Sequence, residues 1–189
     1  MEINAAEDRT DADLLASVAA GGEPARTAWS TLVGRYSARL YAVARSFALD
    51  PSTAEDLVQT AWLRLLERVD RIRDPDAVGG WLATVVRNEA RNRITRRREI
   101  PAELSLDSPA DDAGVDSRLL RDERADAIRY AFAHLGAECQ QLLRLLIAEP
   151  ALSYDEIAAA LGRPRGALGP TRRRCLERLR THLPPGFER

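Results

Sequence analysis

Apolar residues recur every three or four positions along most of this chain, a spacing that predicts helices and leaves no sustained alternation for strands. A short first helix carries Leu14, Leu15 and Val18, is capped by Thr10 or Asp11, and closes at Gly21-Gly22. A long second helix, from about Arg26 to Ala48, places Trp29, Leu32, Val33, Tyr36, Leu40, Val43 and Phe47 on one side. Asp50-Pro51 breaks it. Ser52-x-x-Glu55 reads as a capping box opening a third helix, with Leu57, Ala61, Leu65 and Val69 on one face and Val58, Trp62 and Leu66 beside them. Arg71 to Gly80, with Asp74-Pro75 and Gly79-Gly80, reads as a loop running into a helix start. From Trp81 the stripe Leu82, Val85, Val86, Ala90 and Ile94 marks a fourth helix.

Periodicity then fades between Glu99 and Ser117, where Pro101, Pro109, Gly114 and several acids indicate a flexible linker. Beyond it, Leu119 to Leu135 predicts a helix with Ile128, Phe132 and Leu135 inward, and Glu138 to Ala148 predicts a leucine-rich one stopped at Glu149-Pro150. Ser153-x-x-Glu156 is a second capping box. It opens a short helix (Ile157, Ala158 and Leu161 inward) that ends at Gly162, and a basic helix follows up to Leu183-Pro184-Pro185. The expected architecture is all-α: residues 1–25 form a tail and short helix, 26–98 a first domain, 99–118 a linker and 119–184 a second domain.

Charge sharpens this picture. The net charge of −1 hides two basic stripes. Arg87 to Arg98 holds six arginines against Glu89, and Arg163 to Arg180 holds seven against Glu177. Between them, Asp107 to Asp126 carries seven acids and three arginines. Two basic stripes around an acidic segment are the footprint of a bipartite nucleic-acid binder. All 28 basic residues are arginine, which reflects base composition first, although arginine suits phosphate and guanine contacts.

No apolar run approaches the roughly 20 residues of a membrane span, and the acidic N-terminus has no apolar leader core, so a cytoplasmic protein without membrane insertion is expected. Cys139 and Cys175 lie inside apolar helical patterns and read as small buried thiols. His134 with Cys139, or Cys175 with His182, makes half a zinc site at most, so no metal is expected. The chain also has no glycine-rich phosphate loop, no histidine beside a plausible nucleophile and no carboxylate pair in an expected pocket. Neither an enzyme nor a cofactor is expected.

A short capped helix, a glycine turn and a basic amphipathic helix form a helix-turn-helix pattern. Ala158 is small enough for close crossing, Gly162 accepts the turn, and Leu168, Cys175 and Leu179 give the second helix an apolar side. Its other side is free for phosphates and base edges.

At these residues the chain resembles the bacterial sigma factors of the extracytoplasmic-function type. LSYDEIAAALGRPRGAL is similar to the start of that family's fourth region, and AEDLVQTAWLRLL to its helix 2.2. GGWLATVVRNEARNRITRRR resembles the segment that handles melted DNA, and Trp29 to Tyr36 fits the opening of the second region. The resemblance implies core RNA polymerase and promoter DNA as partners, with an anti-sigma protein as a further one. It places Asp56, Gln59 and Glu67 at the polymerase clamp, with Trp62 either an anchor of that surface or, as favoured here, a buried residue. It places Asp74, Asp76, Gly80 and Trp81 at a flipped base of the −10 element, with Trp81 either a stacking surface or, as favoured here, a core residue. Arg87, Asn88, Arg91 and Asn92 would face the separated strand, and Arg96 and Arg97 the backbone.

The chain departs from the family at the recognition helix, where Gly169-Pro170 replaces a basic residue and a serine. A start at Pro170 would put Thr171, Arg172, Arg173 and Arg174 at the −35 element, and an earlier start near Arg165 would add that residue. Two other readings stand beside this one: a helix-turn-helix regulator acting without sigma activity, and a degenerate sigma-like interaction module. Neither accounts as well for the basic helix of the first domain.

Overall fold

A computed structural model describes residues 9–99, 119–185 and 187, with the side chains of 98, 99 and 119–123 left aside. Eight α-helices account for most of these residues, and no strand occurs among them. The expected linker lies almost wholly outside the described residues. So does most of the acidic segment.

The first helical group comprises α1 (Asp11–Ala20), α2 (Glu23–Ser46), α3 (Pro51–Leu66) and α4 (Val78–Glu99). Thr10 caps α1 through a capping box with Asp13, and Leu14 and Leu15 are buried where α1 lies along α2. The expected capping box at Ser52 is not formed. Helix α3 starts two residues earlier, with Pro51 in its first turn, where the missing amide proton costs nothing. Asp50 is the cap. Its two carboxylate oxygens accept from the amide and the hydroxyl of Thr53, each at 2.8 Å. These two bonds hold the Asp50 carboxyl below the usual carboxylate range.

Between α3 and α4 the chain makes two 3-10 turns, Val69–Arg71 and Pro75–Ala77. Helix α4 begins at Val78, so Gly79 and Gly80 belong to its first turn rather than to a loop. Leu82, Val86 and Ala90 are fully buried on its inner side.

The second group comprises α5 (Leu119–Ala133), α6 (Ala137–Leu146), α7 (Tyr154–Leu161) and α8 (Leu168–Thr181). Ile128 was expected inward but is 45% exposed, because full burial on α5 begins only at Ala131. The capping box of α7 forms as the sequence indicates. The Ser153 amide donates to Glu156 at 2.7 Å, and the Glu156 amide donates to the Ser153 hydroxyl at 3.2 Å. Gly162 ends the helix with a left-handed φ of 67°.

Both cysteines depart from expectation. Cys139 and Cys175 are joined in a disulfide that ties α6 to α8, so neither is a free thiol. Each faces inward on its own helix, and the two helices happen to face each other. The apolar core continues from Leu32, Leu40 and Val86 of the first group into Leu142, Ile157 and Leu168 of the second. Helix α7 lies on α4, and α6 lies on α2. The Gln141 amide donates to the Ser46 hydroxyl across this junction at 3.4 Å.

Candidate nucleic-acid interface

Helix α4 carries the first basic stripe on the side opposite Leu82, Val86 and Ala90. Asn88, Arg91 and Asn92 are exposed there, Arg87 is half-buried, and Arg96 and Arg97 are exposed nearer the end of the helix. With 3.6 residues per turn, Arg87, Asn88, Arg91 and Asn92 lie within one stripe. Arg87 donates through Nε and Nη2 to the Asn88 side-chain oxygen, at 3.2 and 3.0 Å. Arg96 and Arg97 line a cleft of about 530 Å³ between the end of α4 and the α2–α3 corner, shared with Asp50 and Thr53.

Trp81 is half-buried against the core, as favoured from the sequence. Asp74 and Asp76 are exposed on the segment entering α4, and Gly80 lies just beyond. These residues line a second cleft of about 460 Å³. Its floor is built by Tyr36, whose hydroxyl donates to Asp11 at the start of α1. Burial first, and then that bond to a carboxylate, push the Tyr36 phenol well above its ordinary value, so it stays protonated. Gly79 is required by this floor. A Cβ at that position would stand 2.7 Å from Tyr36 Cε1.

The second basic stripe lies on α8. A 3-10 turn, Arg165–Ala167, precedes the helix, which starts at Leu168 between the two alternatives left by the sequence. Pro170 is the third helical residue, still within the turn whose amides have no intrahelical acceptor. Arg172, Arg173 and Arg174 are exposed. Thr171 is not, because it is buried and its hydroxyl donates to the Ala167 carbonyl at 2.7 Å. Arg165 is exposed and pairs with Asp155 of α7 at 3.0 Å.

Helix α3 holds the remaining candidates. Asp56, Gln59 and Glu67 are exposed, and Asp56 pairs with Arg93 of α4 at 3.6 Å. Trp62 is buried, packed edge-to-face on Trp29 at 5.3 Å, and so is a core residue rather than a surface anchor. Leu63 and Leu66, which the sequence reading left aside or placed inward, are 54% and 47% exposed on the same outer stripe as Asp56 and Gln59. Two half-exposed leucines on a polar stripe are the signal that periodicity alone misses.

Residues 32–100 match the family described as Sigma-70 region 2. Over 143 residues the chain is 33% identical to the RNA polymerase sigma-E factor of Streptomyces coelicolor, covering 74% of this chain and 77% of that one. The chain belongs to the extracytoplasmic-function sigma factors of the sigma-70 family. A second relative, the sigma factor SigE of Mycolicibacterium smegmatis, is 29% identical over 170 residues. The alignment covers 87% of this sigma factor and 65% of that longer relative. Among solved structures, this sigma factor is similar in fold to CnrH in complex with the cytosolic domain of CnrY, with a TM-score of 0.58 at 23% identity. That match covers 90% of this chain and 95% of the other. It is also similar to the sigma factor RpoE of Bartonella quintana in complex with the anti-sigma factor NepR, with a TM-score of 0.55 at 25% identity, over 81% and 94% of the two chains.

No helix among the described residues is long and apolar enough to cross a membrane. Among the same residues, no group of three or more histidine, cysteine or acidic side chains is placed to hold a metal ion.

Proposed function

We propose that this chain binds core RNA polymerase in the cytoplasm, recognises the −35 and −10 elements of a promoter, and helps open the duplex at the −10 element. The observation that carries the reading is the pair of exposed arginine stripes, one on α4 and one on the second helix of a helix-turn-helix, in a sigma-family chain. In this reading, residues 26–98 serve polymerase and the −10 element, and residues 119–184 serve the −35 element. The segment between them is the linker.

On α3, the stripe Asp56, Gln59, Leu63, Leu66 and Glu67 meets the polymerase clamp. Its polar members set orientation, and its leucines supply apolar area. On α4, Asn88 and Asn92 present amides suited to base edges, while Arg87 and Arg91 suit phosphate or guanine. Asp74, Asp76 and Gly80 border the cleft into which a base would turn, and the partner groups there offset the few kcal/mol that unstacking costs. Trp81, held half in the core, offers at most its exposed edge. Arg96 and Arg97 take backbone phosphates. On α8, Arg172, Arg173 and Arg174 enter the groove, and Arg165 can join them by leaving Asp155. By analogy with the complex of RpoE with NepR, an anti-sigma protein is a further partner. The chemistry of RNA synthesis belongs to the polymerase.

The test is transcription in vitro with core polymerase over a promoter library. The proposed function predicts promoter-specific transcripts whose sequences share two elements. A chain that binds duplex DNA without core polymerase, and does not bind core polymerase, is instead a helix-turn-helix regulator.

A further inference from the structure

The outer side of α8 is chemically uneven along its length. At about 100° per residue, Pro170, Arg173 and Arg174 lie on the side opposite the buried Leu168 and Cys175. All three outer residues are exposed. This stripe begins with an apolar ring and continues with two cations. Thr171 carries the one hydroxyl in the first two turns of the helix, and that hydroxyl is engaged inward. It donates to the Ala167 carbonyl at 2.7 Å and accepts from Arg174 Nη2 at 3.4 Å. Pro170 has neither an amide proton nor a polar side chain. Ahead of Arg173, the outer stripe therefore offers no side-chain hydrogen bond to a base.

Two glycines leave the proline ring bare. Gly166, in the turn before the helix, and Gly169, beside Pro170, are both exposed, and neither has a φ that demands glycine. A Cβ at either position would meet nothing within 4 Å. Packing within the chain gives no reason for glycine at these places, and glycine is a poorer helix former than alanine at residue 169. What glycine supplies is low relief, because the backbone there has no side chain to hold another surface away. Gly169 and Pro170 are also the positions at which the chain departs from its family.

We propose that Pro170 selects one base pair of the −35 element, a T·A pair, by packing its ring on the C5-methyl group of the thymine, with Gly169 permitting the close approach. This rests on the proposed reading of α8 as the −35 helix. The thymine methyl is the one apolar feature that the four bases present in the major groove, so a group without donor or acceptor discriminates by that methyl. Any other base would set a polar edge against the ring and leave it without a partner. Arg173 follows three residues later, about 4.5 Å along the axis, which is one or two base pairs at about 3.4 Å per pair. The selected thymine therefore lies within one or two pairs of the guanine that suits Arg173.

The test is promoter binding and transcription by the full chain with core polymerase. The promoter library should return an invariant thymine, within one or two pairs of a guanine, in the −35 element. Each thymine of that element is then replaced in turn by uracil, which removes the methyl group and nothing else. One replacement should weaken promoter binding about fourfold, the effect of exposing one buried methyl group, and the others should leave it unchanged. In Pro170→Ser the sensitive thymine promoter and its uracil counterpart should bind alike, while the melting temperature and the affinity for core polymerase stay as in the wild type. Gly169→Ala places a methyl group in open space and favours the helix, so melting should not fall, yet transcription from the same promoter should drop. A wild-type chain indifferent to every methyl group of the element would overturn the proposal. So would a Pro170→Ser chain that keeps the discrimination, or a Gly169→Ala chain as active as the wild type. Failure of the wild-type chain to bind core polymerase would instead remove the proposed function, and the uracil comparison would then be read on the duplex that the chain binds by itself.

Discussion

Replacing Leu63 and Leu66 together by alanine should weaken the binding of core polymerase while leaving the fold intact. Complete burial of a leucine side chain contributes about 1.5–3 kcal/mol. These two are 54% and 47% exposed, so roughly half of that, about 1 kcal/mol each, remains available to a partner. Together they give about 2 kcal/mol, which is roughly a 30-fold increase in Kd. The neighbouring Trp62 makes the opposite control. It is buried on Trp29, so Trp62→Ala should cost about 3–5 kcal/mol of stability and lower the melting temperature before any effect on affinity can be read. The assay is a fluorescence-anisotropy titration of labelled chain with core polymerase, alongside thermal melts of each variant. Unchanged affinity in the double leucine variant, with an unchanged melt, would place the polymerase surface elsewhere than the outer stripe of α3.

Other outcomes follow from single features. Reversing Arg173 and Arg174 to glutamate should abolish transcription from promoters that depend on the −35 element while polymerase affinity stays within about twofold, since the change touches surface charges away from α3. Loss of both activities together would mean that the change unfolds the second group. Reducing the Cys139–Cys175 disulfide removes a closure over 36 positions, an effect of about 3–4 kcal/mol on the loop-entropy estimate, so melting should fall by ~10 °C with reductant. Identical melts for the oxidised and reduced protein would show that the bond adds nothing. The Asp50 carboxyl has a lowered pKa in the fold, so its stabilisation is complete above the unfolded aspartate value and is lost as pH falls through the lowered one. Asp50→Ala should cost about 1 kcal/mol at neutral pH and little in acid, and equal losses at both pH values in chemical denaturation would contradict the capping role.

The helices were legible in the sequence because each buries one face, and a 3.6-residue period records that directly. Leu32, Leu40, Leu82, Val86, Leu142 and Ile157 stand inward where their spacing puts them. Local chemistry was legible where it competes with nothing, as at Ser153, Glu156 and Gly162. At Asp50-Pro51-Ser52 two caps were available, and proline in the first turn decided for Asp50 over Ser52. Pro170 was harder, because proline is tolerated throughout the first turn and so does not fix which residue begins it. Exposure of Leu63, Leu66 and Ile128 depends on how far a neighbouring helix extends, and burial of Thr171 on a bond to Ala167 that an earlier helix start creates. Periodicity records neither. The disulfide, the Arg39–Glu156 pair and the seat of Arg87 beside Gly162 join residues far apart in sequence, and only the packing of the two groups brings them together. The arginine stripes were visible throughout, and their placement on the outer sides of α4 and α8 is what gives them a role.

Strand opening is the step that separates a sigma factor from any other bipartite DNA binder. It is read most directly by permanganate reactivity of unpaired thymines on a promoter drawn from the library, with core polymerase and this chain. Reactive thymines at the −10 element are expected with the wild-type chain, and they should vanish when Arg87, Asn88, Arg91 and Asn92 are replaced together by alanine although polymerase still binds. A promoter that stays fully paired while polymerase and the wild-type chain are bound to it would contradict the account.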